Sequence, residues 1–473
     1  MTITDNRTRW LALYVLCLAT LMIVLDVTIV NVALPSIRNS LHFSETSLAW
    51  VVNAYLLTYG GCLLLGGRLG DLFGHRRLFL AGITLFTLAS LVCGVSTSQG
   101  MLIGARAVQG VGGAVASAVS LSLMVNLFTE PGERAKAMGV FGFVASGGGS
   151  IGVLLGGVLT GTLSWHWIFL VNFPIGVLVV ILSLRLLPGG TTQRGSGRLD
   201  VAGAATVTAS LMLAVYAVVN GNQNGWTSTE TLGLLLGAAA LLAAFVGIES
   251  RVVSPLMPLR LFRLRNVAVS QVVGVLWAAA MFASFFLTAL YLQLVLGYKP
   301  LKVGLAFLPA NLIMGFFSIS LSAKLVMRYG LRKPLTVGLV FAAAALALLT
   351  RAPVGGHFLP DVLPAMILLG IGAGTAFNPV LLAAMGDVAP EESGLASGVV
   401  NTAFMMGGAL GLAVLASAAS ARTHHLSTPA ALTSGYHLAF AIGTVFALAA
   451  AAIGATFLRT RTVAAGHAEP APA

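Results

Sequence analysis

Residues 10–35 read WLALYVLCLATLMIVLDVTIVNVALP, an almost unbroken apolar run that contains one carboxylate, Asp26. Such a run can cross a bilayer as an α-helix, which needs about 20 mostly apolar residues. It is longer than the apolar part of a secretory signal peptide, although Arg7 and Arg9 precede it as they would in one. We therefore interpret it as an uncleaved first span that places an acid inside the membrane.

The rest of the 473-residue chain has the same apolar character. Hydrophobic residues make up 58% and charged residues 8% of it, whereas an average soluble domain has about 25% charged residues. The three cysteines lie inside apolar runs without metal-ligand spacing, so we expect packing roles for them and no metal site. The apolar segments predict fourteen spans: 10–33, 48–67, 78–96, 101–126, 137–160, 167–187, 201–220, 231–249, 267–294, 303–326, 335–351, 362–385, 394–419 and 437–458.

The basic residues predict the orientation of these spans. With the N-terminus inside, five of the 26 Lys and Arg residues lie in external connections, Arg106 lies within a span, and all others are cytoplasmic. The net charge of +12 therefore indicates membrane topology rather than nucleic-acid binding. We expect a multi-pass protein of a bacterial cell membrane with both termini in the cytoplasm.

The sequence also contains an internal repeat. The segment from Arg68 to Gly82 aligns with the segment from Lys324 to Gly338, with matching basic pairs and glycines, and later glycines continue the match. Spans 2 to 5 thus repeat as spans 10 to 13, which predicts two similar six-span halves with substrate bound between them near the midplane. The predicted units are an N-terminal bundle (1–190), a linker with two extra spans (191–266), a C-terminal bundle (267–458) and a cytoplasmic tail (459–473).

Asp26 is the acid that we expect to carry chemistry. It lies nine residues before Pro35, roughly 13 Å along a helix from the expected outer end of span 1. An ionised acid near the bilayer centre costs about 2.5 to 3.5 kcal/mol; burial favours its neutral form and a nearby cation its ionised form. Arg106 lies at comparable depth in span 4, with Gln109 one turn deeper. The three residues predict a proton-coupling site; a structural ion pair, with Gln109 tying helices together, is the alternative.

Three motifs resemble those of the fourteen-span drug:proton antiporters of the major facilitator superfamily. The stretch 25–35 (LDVTIVNVALP) is similar to their span 1 signature, and 67–77 (GRLGDLFGHRR) is similar to their loop motif between spans 2 and 3. The stretch 106–113 (RAVQGVGG) is similar to the span 4 motif whose arginine is implicated in proton coupling. The resemblance covers essentially the whole chain. It implies an all-α membrane protein with the major facilitator fold: two six-helix bundles with two additional transmembrane helices between them.

The loop motif predicts a conformational gate. Gly67 and Gly74 would allow close approach and tight turning, and Asp71 could cap a helix or pair with Arg76 or Arg77. The alternative is that the basic residues only hold the loop in the cytoplasm. The resemblance to the antiporters implies the gating role.

Span 5 adds a second set of candidate gating residues. Gly148, Gly152, Gly156 and Gly157 match the glycine spacing of the resembled antiporters in that span, but Val153 stands where those proteins carry proline. Glycines on membrane helices let backbones touch. A general packing role and an antiport-specific role both remain open for them.

The candidate substrate cavity combines intramembrane polar residues with aromatic and methionine side chains. Thioethers and aromatic rings suit varied ligands, but such residues also face lipid, and amides also join helices. Phe404 and Met405 occupy places where the resembled antiporters often carry Arg-Gln. The cavity candidates are Asn31, Asn53, Tyr55, Trp277, Phe285, Tyr291, Gln293, Asn311, Asn378, Asn401 and Met405.

These features predict a proton-coupled antiporter that exports hydrophobic or amphipathic drugs or natural products by alternating access. The expected partners are a small-molecule substrate, protons and the lipid bilayer, with no nucleic acid, and the expected functional unit is a monomer. We expect no cofactor, with the proton gradient as the energy source. A dedicated exporter of one metabolite is the alternative, and a channel or uniporter would not need Asp26 to titrate. The sequence has no Walker lysine and no HExxH motif, which argues against an enzyme.

Overall fold

The computed structural model describes residues 6–128, 130–187, 200–252, 255–257, 259–385, 388, 393–423 and 428–459. Within these ranges the chain is helical and contains no β-strand. A 3-10 turn covers Leu259–Arg263, and π-helical segments cover Tyr291–Val295, Phe317–Leu321 and Phe358–Val362. The α-helices are α1 (Asn6–Leu41), α2 (Glu45–Leu48), α3 (Trp50–Phe73), α4 (His75–Gly94), α5 (Gln99–Leu127), α6 (Pro131–Thr162), α7 (Trp167–Leu170), α8 (Asn172–Leu186), α9 (Val201–Asn224), α10 (Thr229–Glu249), α11 (Arg265–Leu290), α12 (Pro300–Phe316), α13 (Ser322–Tyr329), α14 (Arg332–Leu349), α15 (Leu363–Met385), α16 (Ser393–Thr423) and α17 (Pro429–Phe457).

Twelve helical stretches in the described ranges are long and apolar enough to cross a membrane. Two shorter apolar helical stretches, Ile151–Thr162 and Pro300–Phe316, accompany them. The first helix is longer than the sequence predicts, because α1 continues through Pro35 to Leu41. Asp26 therefore lies fifteen residues, or roughly 22 Å, before the end of α1, compared with the nine residues, or roughly 13 Å, expected from the sequence.

The sequence repeat reappears as a repeat of helix packing. A Cβ atom added to Gly82 in α4 would lie 2.9 Å from the carbonyl oxygen of Gly112 in α5. A Cβ atom added to Gly338 in α14 would lie 2.8 Å from the carbonyl oxygen of Gly372 in α15. Each helix pair thus crosses where two glycines bring the backbones together. The two predicted halves share this crossing.

The inserted helices α9 and α10 form a hairpin that lies across both halves. The ring of Tyr216 in α9 lies 6.5 Å from that of Trp50 in α3. Further along α9, the carbonyl oxygen of Val218 accepts a hydrogen bond of 3.0 Å from the Ser417 hydroxyl of α16. The hairpin therefore covers the seam between α3 and α16.

The predicted unit boundaries are only partly visible. The junction at 190/191 lies outside the described residues, as does the tail beyond residue 459. The start of the predicted C-terminal bundle, residue 267, lies near the beginning of α11.

Candidate functional site

The fifth helix positions the basic side of the candidate site. Its first turn is capped by Ser98, whose hydroxyl accepts a hydrogen bond from the backbone N–H of Met101. Arg106 and Gln109 are three residues apart and share one face of this helix. A Cβ atom at Gly110 would lie 2.5 Å from the carbonyl oxygen of Tyr55, so the glycine lets α5 lie directly against α3.

The Asp26 carboxylate of α1 receives hydrogen bonds from three side chains among the described residues. Arg106 Nη1 donates to Oδ2 at 2.5 Å, and Gln109 Nε2 donates to Oδ1 at 2.7 Å. Asn172 Nδ2 also donates to Oδ1, at 3.0 Å. Donors and a positive charge both favour an ionised carboxylate. The site therefore surrounds the Asp26 carboxyl group with one guanidinium and two amide donors.

Arg106 is fixed by further contacts. Its Nε donates to the carbonyl oxygen of Val51 at 3.0 Å, and its Nη1 also donates to Gln109 Oε1 at 2.9 Å. The guanidinium lies over the Tyr55 ring, with 4.4 Å between Cζ and the ring centroid. These contacts use the fork geometry and the planar face of arginine, which lysine lacks. They would continue to hold the cation if Asp26 were neutralised.

Asn172 and Ser90 belong to the site and were not among the sequence candidates. Asn172 begins α8 after a short break at Val171, and its amide also donates to Ser90 Oγ of α4 at 3.0 Å. The Ser90 hydroxyl in turn donates to the carbonyl oxygen of Phe169 at 2.9 Å. The network thus joins α1, α4, α5 and α8. An amide near the start of span 6, at a depth like that of Arg106 in span 4, is the signal that could have identified Asn172.

The site is sealed from solvent in this conformation. Asp26 has 0% and Arg106 1% of its surface exposed. An uncompensated charge at such a position would cost several kcal/mol, whereas a hydrogen-bonded pair is tolerated. A proton can therefore reach Asp26 only through a conformation that differs from this one.

The candidate glycines of α6 pack against the part of α1 that carries Asp26. Gly148 lies against Val24, and a Cβ atom at Gly152 would lie 3.0 Å from the carbonyl oxygen of Leu25. At Gly156 the same addition would lie 2.6 Å from the carbonyl oxygen of Ile29. The three glycines, spaced four residues apart, therefore line the side of α1 next to Asp26. A sliding movement of α6 would displace the Asp26 site.

The fourth glycine, Gly157, faces the other half of the molecule. A Cβ atom there would lie 2.8 Å from the carbonyl oxygen of Pro300 and 3.0 Å from Cα of Leu301, at the start of α12. Nearby, Gln293 Nε2 donates to the carbonyl oxygen of Val32 at 2.8 Å. The halves are therefore in direct contact at the ends of α6 and α1 that the sequence predicts to face outward.

The loop motif lies between α3 and α4. Gly74 has a φ of 92°, in the left-handed region that favours glycine, and its repeat equivalent Gly330 has a φ of 74°. No close approach occurs at Gly67, because a Cβ atom there would meet nothing within 4 Å. The side chain of Asp71 lies outside the described residues, so its predicted pairing with Arg76 or Arg77 remains a prediction.

The two arginines of the loop motif have different surroundings. Arg76 Nη2 donates to the carbonyl oxygen of Leu184 at 2.6 Å, near the C-terminus of α8, where a cation is favoured. Arg77 is exposed. Arg76 thus attaches the loop to the helix that carries Asn172.

Several cavity candidates are already bound within the protein. Tyr55 packs under Arg106, and the Tyr291 hydroxyl donates to the carbonyl oxygen of Pro353 at 2.7 Å. Gln293 bonds to α1 as described above, and Asn378 Nδ2 donates to the carbonyl oxygen of Ser318 at 2.8 Å. The polar groups of Tyr291, Gln293 and Asn378 therefore tie segments of the chain together in this conformation, whereas the buried Tyr55 hydroxyl has no hydrogen-bond partner among the described residues. Asn31 and Asn401 are partly buried.

Other candidates carry buried polar atoms without a hydrogen-bond partner among the described residues. They are both amide atoms of Asn53, the indole nitrogen of Trp277 and Nδ2 of Asn311. Buried donors of this kind cost about 1 to 3 kcal/mol unless something satisfies them. Trp277 also belongs to an apolar cluster against which Phe285 and Met405 pack. These groups therefore carry hydrogen-bonding capacity that the described residues do not use, and their role in a substrate cavity remains a prediction.

The sequence of the chain matches a known protein family and named relatives. A family model described as Major Facilitator Superfamily matches residues 16–412. The puromycin resistance protein pur8 of Streptomyces alboniger is 40% identical, with 98% of this chain and 95% of that protein covered. The cephamycin export protein CmcT of Amycolatopsis lactamdurans is 38% identical, with 95% and 93% covered.

A solved structure supports the fold on independent grounds. The crystal structure of the nucleoside transporter NupG superposes with a TM-score of 0.68 and covers 95% of this chain and 100% of that one. The sequence identity is 13%, so the likeness concerns the fold alone. It matches the all-helical architecture predicted from the sequence.

Proposed function

Because the chain belongs to the Major Facilitator Superfamily, we propose that it is a secondary active transporter that exports hydrophobic or amphipathic drugs or natural products in exchange for protons. The export direction is supported by the relatives, which are named for resistance to puromycin and for export of cephamycin. The proton coupling is supported by the sealed Asp26–Arg106 pair, which is the observation that carries the proposal.

The proposed topology has fourteen spans. The helix α6 has 32 residues, and the helical run from α12 through α13 extends from Pro300 to Tyr329, so each is long enough to cross a bilayer. Together with the twelve long apolar stretches they give two six-span bundles and the inserted α9–α10 hairpin. We place the protein in a bacterial cell membrane, as a monomer with both termini in the cytoplasm.

The proposed cycle depends on the charge of Asp26. In the present conformation the ionised carboxylate and Arg106 neutralise each other. A proton from outside would neutralise Asp26 and leave the buried arginine cation without its counterion. Removing one partner of a buried pair costs about 3 to 5 kcal/mol, so protonation favours a different conformation, the outward-open one that releases substrate. Release of the proton to the cytoplasm restores the pair, and the gradient supplies the energy without a cofactor.

The test uses protein reconstituted into vesicles with a pH gradient, with puromycin as the first probe. We expect Asp26→Asn to abolish gradient-driven transport and to retain puromycin binding. An amide side chain does not bind or release a proton at physiological pH. Glu230→Gln is the matched control, since Glu230 is an exposed acid in the first turn of α10. Undiminished transport by Asp26→Asn would overturn the coupling role.

A dedicated exporter of one compound is the second candidate, because each of the two relatives is named for a single antibiotic. Susceptibility of cells expressing the gene to a panel of cationic dyes, antiseptics and antibiotics separates the two. Protection against several unrelated compounds supports a broad range. Protection against one chemical class supports the dedicated exporter.

A further inference from the structure

Two acidic residues meet at the base of the inserted hairpin, apart from the Asp26 site. Asp200 caps α9, where its Oδ1 accepts a hydrogen bond of 2.7 Å from the backbone N–H of Gly203. Glu249 is the last residue of α10, and its Oε2 accepts 3.1 Å from the backbone N–H of Met257 in the link to α11. One carboxylate oxygen of each residue is thus satisfied by backbone.

The other two oxygens lie beside the same glycine, Gly203. Each residue has 4% of its surface exposed, and Asp200 Oδ2 and Glu249 Oε1 both lack a donor among the described residues. A Cβ atom at Gly203 would touch both, at 3.0 Å from Glu249 Oε1 and still closer to Asp200 Oδ2. The two unsatisfied oxygens therefore border the same small buried space.

Two ionised carboxylates in this arrangement would repel each other without a compensating donor. One shared proton removes the repulsion, since it converts one oxygen into a donor and leaves the other as its acceptor. Such sharing occurs where two carboxylates lie about 3 Å apart. A calcium ion would need six to eight oxygen ligands, and this pair offers two.

No basic side chain of the adjoining described segments donates to the two unsatisfied oxygens. Arg251, Arg260 and Arg263 are exposed, and Arg265 Nε donates to the carbonyl oxygen of Phe457. Arg194 and Arg198 of the preceding segment and the side chains of Arg68 and Asp71 at the end of α3 lie outside the described residues. A variant of Arg198 therefore belongs in the test.

We propose that Asp200 and Glu249 form a second proton-binding site that holds one shared proton at the base of the α9–α10 hairpin. The proton ties the start of α9 to the end of α10, and Glu249 ties both to the link that leads into the second half. Because α9 covers the seam between α3 and α16, the site gives that seam a pH-sensitive support. This inference goes beyond the export function and does not rest on it.

The test is infrared spectroscopy of the purified full-length protein in lipid nanodiscs, titrated between acidic and alkaline pH. We expect a protonated-carboxyl band that persists at neutral pH and is lost in Glu249→Gln and in Asp200→Asn. Glu230→Gln, at the opposite end of α10, should leave the band unchanged. Arg198→Ala should also leave it unchanged, because the proton and not a cationic side chain balances the pair.

The spectra also define the results that overturn the site. A neutral-pH band that survives both Glu249→Gln and Asp200→Asn would belong to other carboxyl groups and would reject it. The wild-type protein alone can also reject it, if no protonated carboxyl is present at neutral pH or if the band disappears on addition of Na⁺ or Ca²⁺. Since no transported substrate is involved, failure here leaves the export proposal standing.

Discussion

Replacement of Asn172 by alanine is the sharpest test of the proposed coupling site. The change removes the donor that lies 3.0 Å from Asp26 Oδ1 and leaves the donors from Arg106 and Gln109 in place. A hydrogen bond to a charged group contributes about 1.5 to 3 kcal/mol. At about 1.4 kcal/mol for each factor of ten, we expect the loss to lower gradient-driven transport roughly tenfold to hundredfold.

The direction of the effect follows from the contact that is lost. Asn172 helps to hold the Asp26 carboxyl group opposite Arg106, so Asn172→Ala loosens the site and lowers the initial rate of gradient-driven transport. The assay is the initial rate of transport into vesicles over a range of pH, with the melting temperature as a check on folding. Asn220→Ala is the matched control, because Asn220 bonds within its own helix to Tyr216. A folded Asn172→Ala protein that transports at the wild-type rate would refute this reasoning.

Three further changes test other parts of the site. Gly156→Ala places a methyl group 2.6 Å from a carbonyl oxygen of α1, so we expect a loss of about 1 to 3 kcal/mol of stability, measured as a lower melting temperature. The control is Gly149→Ala, which meets nothing closer than 3.8 Å and should be neutral. Equal melting temperatures of the two variants would contradict the close packing at Gly156. With the native cysteines replaced, a Gly157→Cys and Leu301→Cys pair should form a disulfide, because the backbones of α6 and α12 touch there. The disulfide should stop transport until it is reduced. Transport by the oxidised protein would show that this contact does not need to open. Arg106→Lys should lower transport by roughly tenfold to a hundredfold, since it loses the Nε donor worth about 1.5 to 3 kcal/mol; a wild-type rate would show that charge alone is sufficient.

The pairing of Asp26 with Arg106 could be predicted because charged residues inside spans are so rare. One acid and one base at comparable depth leave each other as the obvious partner. The repeat could also be predicted from the sequence. A helix crossing that needs two glycines in one half needs two glycines at the equivalent positions of the other half. Gly82 with Gly112 and Gly338 with Gly372 therefore mark the crossing in the sequence and in the packing.

Other parts of the site depend on contacts that a single sequence does not encode locally. Counting residues gives the depth of Asn172 but not the rotation of its helix, which decides whether the amide faces Asp26 or a neighbour. The sequence predicts Gln293 as a cavity residue, but its side-chain amide donates to the carbonyl oxygen of Val32, 261 positions away in the chain. The close approach expected at Gly67 also depends on such contacts, and among the described residues nothing lies within 4 Å of a Cβ atom placed there. The position of the hairpin over the seam likewise depends on tertiary contacts.

The burial of Asp26 has a consequence for the energy metabolism of the cell. A carrier whose acid faced open water on either side could conduct protons continuously, and many copies would discharge the membrane potential. In the proposed cycle, a carrier that rests in this conformation, with no exposed surface on the carboxyl group, would leak no protons. The cycle would then consume energy only when the protein turns over, so the protein could remain abundant without a metabolic burden.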